Sequence, residues 1–343
     1  MRTAHPAAGS TVLAAGPMTF VLRHRAAVVF LVLTVLTAGA AVLSLGVGST
    51  YIAPGEVVRA LAGDGPFTVV VQDLRLPRLV VALAVGTLFG LSGALLQSIA
   101  RNPLASPDVV GISQGAGLAA TIAVSTGAGA VWLGPLALLG GLGAAAVVFV
   151  VSLRYGLAAE RFVLCGIAVA MAAKALTEVF IVGADPIDGQ RAQIFLAGSL
   201  AGTGYDEARV LLIPLVVLLP ALLWAGRATG TTGLDDDVAR GLGVRVERRR
   251  LALGAIAVLL AALAISQAGA VDFVALAAGQ LARRIVRAER PPPACAAVTG
   301  ALLTVLADLV ARTAFAPVQL PVGVLTAVLG GPYLLWLLLR RTR

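Results

Sequence analysis

The chain has 343 residues, 59% of them apolar and only 13% charged, with a net charge of +9 and a mean hydropathy of +0.96. Soluble domains carry about 25% charged and about 45–50% apolar residues, and a bilayer span takes about 20 apolar residues, so the apolar share suffices for roughly ten spans. This excludes a soluble enzyme, a disordered chain and a secreted disulfide scaffold. The positive charges punctuate the ends of apolar runs, as cytoplasmic loops do, instead of forming one basic surface, so nucleic acid is not an expected partner. Cys165 and Cys295 lie in or beside apolar runs, and His5 and His24 both precede the first run. No disulfide framework, metal site, cofactor site or Ser-His-Asp triad is expected from them.

Residues 1–25 read as a polar cytoplasmic tail ending in Arg23-His24-Arg25. Ala26 to Gly48 then runs without a charge, longer than the apolar core of about 7–15 residues in a secretory signal, so it reads as a retained helix. Further apolar runs follow at 79–100, 109–127, 131–153, 162–183, 210–226, 251–269, 274–286, 294–314 and 322–339. The 274–286 run is short and contains Gln280, as a half-span or tilted helix would, and Gly269 to Phe273 before it reads as a kink or re-entrant turn. Ten crossings with Arg23 and Arg25 inside place both termini in the cytoplasm and most arginines in inside segments, as the positive-inside rule requires. The expectation is one all-α, multi-pass domain over 26–343 in the cell membrane, with a cytoplasmic loop at 227–250.

A phosphate-cradling loop needs Gly-Lys-Ser/Thr after a glycine-rich turn. The only lysine, Lys174, follows Ala173 inside an apolar run, so nucleotide hydrolysis, if it drives the protein, belongs to another chain. Lys174 and Glu178 share a helix face four residues apart. They read either as a mutual salt bridge or as a polar spot on a pathway, and the two readings are compatible. Asp308 and Arg312 repeat the spacing. Between Gly233 and Arg250, Asp235 to Asp237 favour a helix start while Gly241 and Gly243 favour its end and a sharp turn, which predicts two short helices at an angle.

Several motifs occur in order. Leu74-Arg75-Leu76-Pro77-Arg78 leads into a helix ending Ser92-Gly93-Ala94-Leu95-Leu96-Gln97, followed by Arg101-Asn102-Pro103-Leu104-Ala105-Ser106-Pro107 and Gly111-Ile112-Ser113-Gln114-Gly115-Ala116-Gly117. Later come Gly198-Ser199-Leu200, Gly269-Ala270-Val271-Asp272-Phe273-Val274-Ala275-Leu276, Ala282-Arg283-Arg284, Ala307-Asp308, Leu320-Pro321-Val322-Gly323-Val324 and Gly330-Gly331-Pro332. From about residue 45 to the C-terminus the chain resembles the iron-siderophore, haem and vitamin B12 importer permeases of the ABC class. The departures are Gly279-Gln280 where that family usually has Pro-His, Asp272 where a small residue is usual, and Pro291-Pro292-Pro293 in the following loop.

The resemblance implies a vitamin B12 importer permease-like fold and partners: two ABC ATPase subunits, an extracytoplasmic substrate-binding protein, and a second permease subunit, identical or different. It makes Asp237, Val238, Arg240, Gly241, Leu242, Gly243 and Val244 the coupling loop that enters the ATPase. It makes Asn102 and Leu104 the cytoplasmic gate, places Lys174 and Glu178 on the translocation pathway, and offers Arg59 and Arg312 as docking charges for the binding protein. The chain itself is then no enzyme. Ferric siderophore is the first substrate choice, with haem and cobalamin as alternatives. An ion-driven secondary transporter is the rival; it needs an acidic relay for which Glu178 beside Lys174 is thin support.

Overall fold

The computed structural model describes residues 10–15, 18–48, 50–154, 159–230, 236–315 and 318–339. His5, Gly233, Leu234, Asp235, Arg340, Arg341 and Arg343 lie outside the described residues. Strands β1 (Ser10–Ala15) and β2 (Met18–Arg23) pair antiparallel, Ser10 opposite Arg23, within the segment read from sequence as a polar tail. The remaining described elements are helical.

Helix α1 (His24–Gly46) is followed by the short amphipathic α2 (Pro54–Leu61). A π-helical turn, Val70–Arg75, feeds α3 (Leu76–Ala100), and together they make one 31-residue apolar element. After a 3-10 turn at Pro107–Val110 come α4 (Ile112–Ser125), α5 (Ala130–Arg154) and α6 (Ala159–Gly183). Then follow α7 (Pro186–Leu196), α8 (Tyr205–Val217) and α9 (Leu219–Ala228), with a 55° bend between α8 and α9. Pro220, in the first turn of α9, lacks an N–H and crowds the carbonyl of Val216, which accounts for the bend. The chain closes with α10 (Asp236–Gly241), α11 (Val246–Ala268), α12 (Val274–Val286), α13 (Pro293–Thr313) and α14 (Val322–Leu339).

Each of the ten apolar runs is found as an apolar helical element, the α8–α9 pair counting as one. Six described helices are long and apolar enough to cross a membrane singly, and the bent pair makes a possible seventh span. Helix α4 and the Val322–Tyr333 stretch of α14 are shorter, and α12 has 13 residues. The number of full crossings is therefore looser than the number of apolar elements.

Helix α3 is the axis of the bundle and the most buried span. Its glycines explain why. A Cβ on Gly86 would lie 2.4 Å from the Gly300 carbonyl oxygen, and one on Gly90 would lie 2.2 Å from that of Ala296. α3 and α13 thus touch backbone to backbone along a small-residue stripe. Within a bilayer, where lipid removes most of the hydrophobic drive for helix association, such contact supplies the packing. At the end of α1, Arg75 donates to the carbonyls of Leu45 and Thr50, 2.6 Å each, supplying donors that the helix end lacks.

Candidate functional site: the coupling segment and the cytoplasmic gate

Helix α9 runs to Ala228 and α11 begins at Val246, so the expected 227–250 segment takes in the end of one helix, the start of the other and what lies between them. Among the described residues it holds one short helix, α10; the second expected helix is the first turn of α11. α10 ends in a Schellman motif. The Val244 amide donates to Ala239 O (3.0 Å) and the Gly243 amide to Arg240 O (2.9 Å). Gly243 has φ +77°, a left-handed conformation that costs glycine nothing. Gly241 has no such requirement, and a Cβ there would meet nothing within 4 Å.

Ala239 is buried, whereas Val238 and Leu242, four residues apart on one face, are 53% and 68% exposed. Asp237 and Arg240 form an exposed ion pair at 3.0 Å. Val244 is half-buried. α10 therefore presents two apolar side chains, rimmed by charge, outward from its own protein.

Asp236, the first residue of α10, ties this helix to the bundle. Arg250 of α11 grips its carboxylate with two hydrogen bonds, 2.8 and 3.0 Å. Arg101, the left-handed cap of α3 (φ 50°), reaches it at 2.7 Å. Burial works to raise the Asp236 pKa, but the hydrogen bonds and charges of Arg250 and Arg101 together outweigh it and hold the carboxyl below its ordinary value.

Arg101 immediately precedes the residues expected to form the gate. Asn102 Oδ1 accepts from the Leu104 amide at 3.0 Å, an Asx turn that shapes the loop. On the other side, Gln280 Nε2 donates to Pro103 O (2.9 Å) and to Gln97 Oε1 (3.1 Å), while Gln97 Nε2 donates to Leu276 O (3.0 Å). A Cβ on Gly279 would stand 2.4 Å from Gln97 Oε1. Gly279 and Gln280 therefore form a fitted set with Gln97. They lie five residues inside α12, buried.

Other expected site residues lie elsewhere. Lys174 and Glu178 share the outward face of α6, both exposed, and no ion pair joins them among those of the described residues. The expected mutual salt bridge is thus absent. Arg59 is exposed on α2. Arg312 is buried: it donates to Ser44 O and, at 2.7 Å, to Ser44 Oγ, and lies 3.6 Å from Asp308. Asp308 also pairs with Arg78 at 2.8 Å. Arg312 clamps α13 to α1, and its burial corrects the expectation of a docking charge available to a partner.

The family model described as the FecCD transport family matches residues 33–340. The chain belongs to the FecCD transport family. The achromobactin transport system permease protein CbrC of Dickeya dadantii (strain 3937) is 39% identical over 306 residues, covering 88% of each chain. The ferric enterobactin transport system permease protein FepG of Escherichia coli (strain K12) is 37% identical, covering 89% of this chain and 93% of its own. Among solved structures, a metal-chelate type ABC transporter in an inward-facing conformation superposes with a TM-score of 0.80 at 28% identity, covering 92% of this chain and 99% of its own. This FecCD-family chain is accordingly an ABC importer permease, a multi-pass membrane protein and not itself an enzyme.

Sequence reasoning missed two features of this FecCD-family site. The role of Asp236 was hidden among three consecutive aspartates, because which of them meets Arg101 depends on how α10 is rotated. The Gln97–Gln280 bond spans 183 positions. Its one local signal was a pair of amides within mostly apolar stretches of sequence, where each needs a partner.

Proposed function

We propose that this chain is the translocation subunit of a binding-protein-dependent importer of ferric siderophore, paired with a second permease subunit and driven by two separate ATPase subunits. It works in the cell membrane with both termini in the cytoplasm. The observation that carries the coupling role is the exposed Val238–Leu242 face on a short, capped helix whose first residue is ion-paired to the cap of α3. An apolar pair rimmed by Asp237 and Arg240 suits insertion into a cleft of a partner. Force on α10 would pass through Asp236 to Arg101 and so to the Asn102–Leu104 loop, while Gln280 anchors the same loop to α12.

The other assignments rest on exposure and charge. A charge facing lipid costs about 2.5–3.5 kcal/mol on insertion scales, so Lys174 and Glu178 favour a face of α6 that borders a pathway or a second subunit. Arg59 remains the docking charge for an extracytoplasmic binding protein. Achromobactin and ferric enterobactin, in the relatives' names, support the siderophore class.

The test is reconstitution of the permease with its ATPase and binding protein in nanodiscs. Ferric siderophore should stimulate ATP hydrolysis, and a Val238→Asp/Leu242→Asp chain should lose ATPase association while remaining folded. Stimulation by haem or cobalamin alone would overturn the substrate class. Undiminished association of the double variant would overturn the coupling role.

A further inference from the structure

The stretch from α9 to α11 is held to the rest of the protein at two places, and one of them lies away from α10. Arg290 donates to Thr229 O and, at 3.2 Å, to Gly230 O. Thr229 is the buried C-cap of α9. Arg290 thus supplies donors where a helix end leaves its carbonyls without them, and its charge suits the negative end of the helix dipole. Gly230 precedes Asp236 by six positions. The chain leaves α9 in the grip of Arg290 and enters α10 in the grip of Arg101 and Arg250.

Arg290 is itself mounted on a short, stiff corner. Behind it, α12 ends in a Schellman motif. Arg287 is left-handed (φ 55°), its amide donates to Arg284 O (3.1 Å), and the Ala288 amide donates to Arg283 O (3.0 Å). Ahead of it, Pro291 and Pro292 have φ held near about −65° by their rings, and Pro293 is the first residue of α13. α13 lies against α3 with no room for a Cβ at Gly86 or Gly90, and Gly93 of α3 has none against Ala275 of α12. Backbones packed this closely move together. α3, α12 and α13 therefore make one body, gripped through Arg101 at the end of α3 and through Arg290 at the α12–α13 corner. The two grips are neighbours, since Arg101 and Arg290 line one cavity of about 260 Å³.

We propose that Arg290 is a positioning residue for transport, carrying displacement of the coupling segment to the corner between α12 and α13 as Arg101 carries it to α3. The proposal rests on α10 being the helix that enters the ATPase. A body held by a single grip can pivot about it, whereas two grips pass on a rotation. Loss of the Arg290 side chain leaves the Val238–Leu242 face and the ion pairs of Asp236 in place. The ATPase then still docks, but one of its two connections to the bundle is gone.

The test uses the full chain with its ATPase in nanodiscs and reads amide hydrogen exchange with and without a non-hydrolysable ATP analogue, so it needs no transported substrate. In the unmodified complex, nucleotide should change exchange at 236–243 and also at the corner, where the bonded amides of Arg287 and Ala288 report. In Arg290→Ala the response at 236–243 should persist and the response at the corner should vanish. Arg290→Lys, whose ammonium still donates to a carbonyl, should restore part of it. A side chain with a structural role alone would alter exchange equally in both nucleotide states and leave their difference intact. That result would overturn the proposal, as would a corner that does not respond in the unmodified complex while 236–243 does. If Arg290→Ala fails to fold, Arg290→Lys against the unmodified complex decides: a smaller response at the corner supports the proposal and an equal one overturns it. Absence of any response at 236–243 in the unmodified complex would instead sink the coupling reading, and the proposal with it.

Discussion

The two glycines at the end of α10 provide a sharp test of coupling, because only one of them is conformationally required. Gly243 has φ +77°, and a Cβ on it would meet no atom within 4 Å, so a substitution there strains the backbone without a clash. An L-residue in the left-handed region costs about 1–2 kcal/mol, which shifts the local equilibrium away from the capped turn by a factor of about 5–30. A six-residue helix has no reserve of its own against such a loss. Gly243→Val should therefore abolish or strongly reduce substrate-stimulated ATP hydrolysis by the assembled complex while membrane insertion and yield persist. Gly241→Ala should retain stimulation, since a helical Ala is favoured over Gly by roughly 0.5–1 kcal/mol and its Cβ has open space. Full stimulation in Gly243→Val, or loss in Gly241→Ala with normal yield, would refute the assignment of the turn.

Three further outcomes are expected. Asp236→Asn removes the charge shared by Arg101 and Arg250 and should lower stimulated hydrolysis relative to basal hydrolysis in the same preparation; because the carboxyl pKa is depressed, its contribution is present above the ordinary value of about 3.9 and lost only as pH falls through the lower folded value, so proteolytic protection of residues 236–250 should stay flat from pH 8 to pH 5. Asp308→Ala strands Arg78 and Arg312 in the bundle and should destabilise the chain by about 3–5 kcal/mol, read as a lower Tm by tryptophan fluorescence; an unchanged Tm would show that the network carries no stability. Lys174→Leu and Glu178→Leu should act additively, within the roughly 0.5 kcal/mol reach of an i,i+4 pair, and recovery of yield in the double variant would contradict the absence of a bridge between them.

What was legible in the sequence follows from range. The ten apolar elements could be read because a charge-free run declares itself, and the short run around Gln280 and the turn at 269–273 were both visible as departures from a full span. The close approach of α3 to α13 at Gly86 and Gly90 depends on Gly300 and Ala296, more than 200 positions away, and was not read from the sequence. Arg312 was misplaced because it lies in the last turn of an apolar run, where a charge normally meets the surface, while its partner Ser44 lies 268 positions away. Lys174 and Glu178 share a face by spacing, yet spacing sets proximity and not side-chain direction. Within 236–250, the turn at Gly243 was legible because it is local, whereas the ties of Asp236 to two other helices were not.

ATP-dependent uptake bears most directly on the central claim that this chain is a permease driven by a separate ATPase. The permease, its ATPase and its binding protein are reconstituted in proteoliposomes with ⁵⁵Fe-labelled ferric siderophore, with ATP supplied on the coupling-segment side, or with an imposed proton or sodium gradient and no nucleotide. Uptake that requires ATP and all three components, and is indifferent to the gradients, is the predicted result. Uptake by the permease alone on an ion gradient would contradict it.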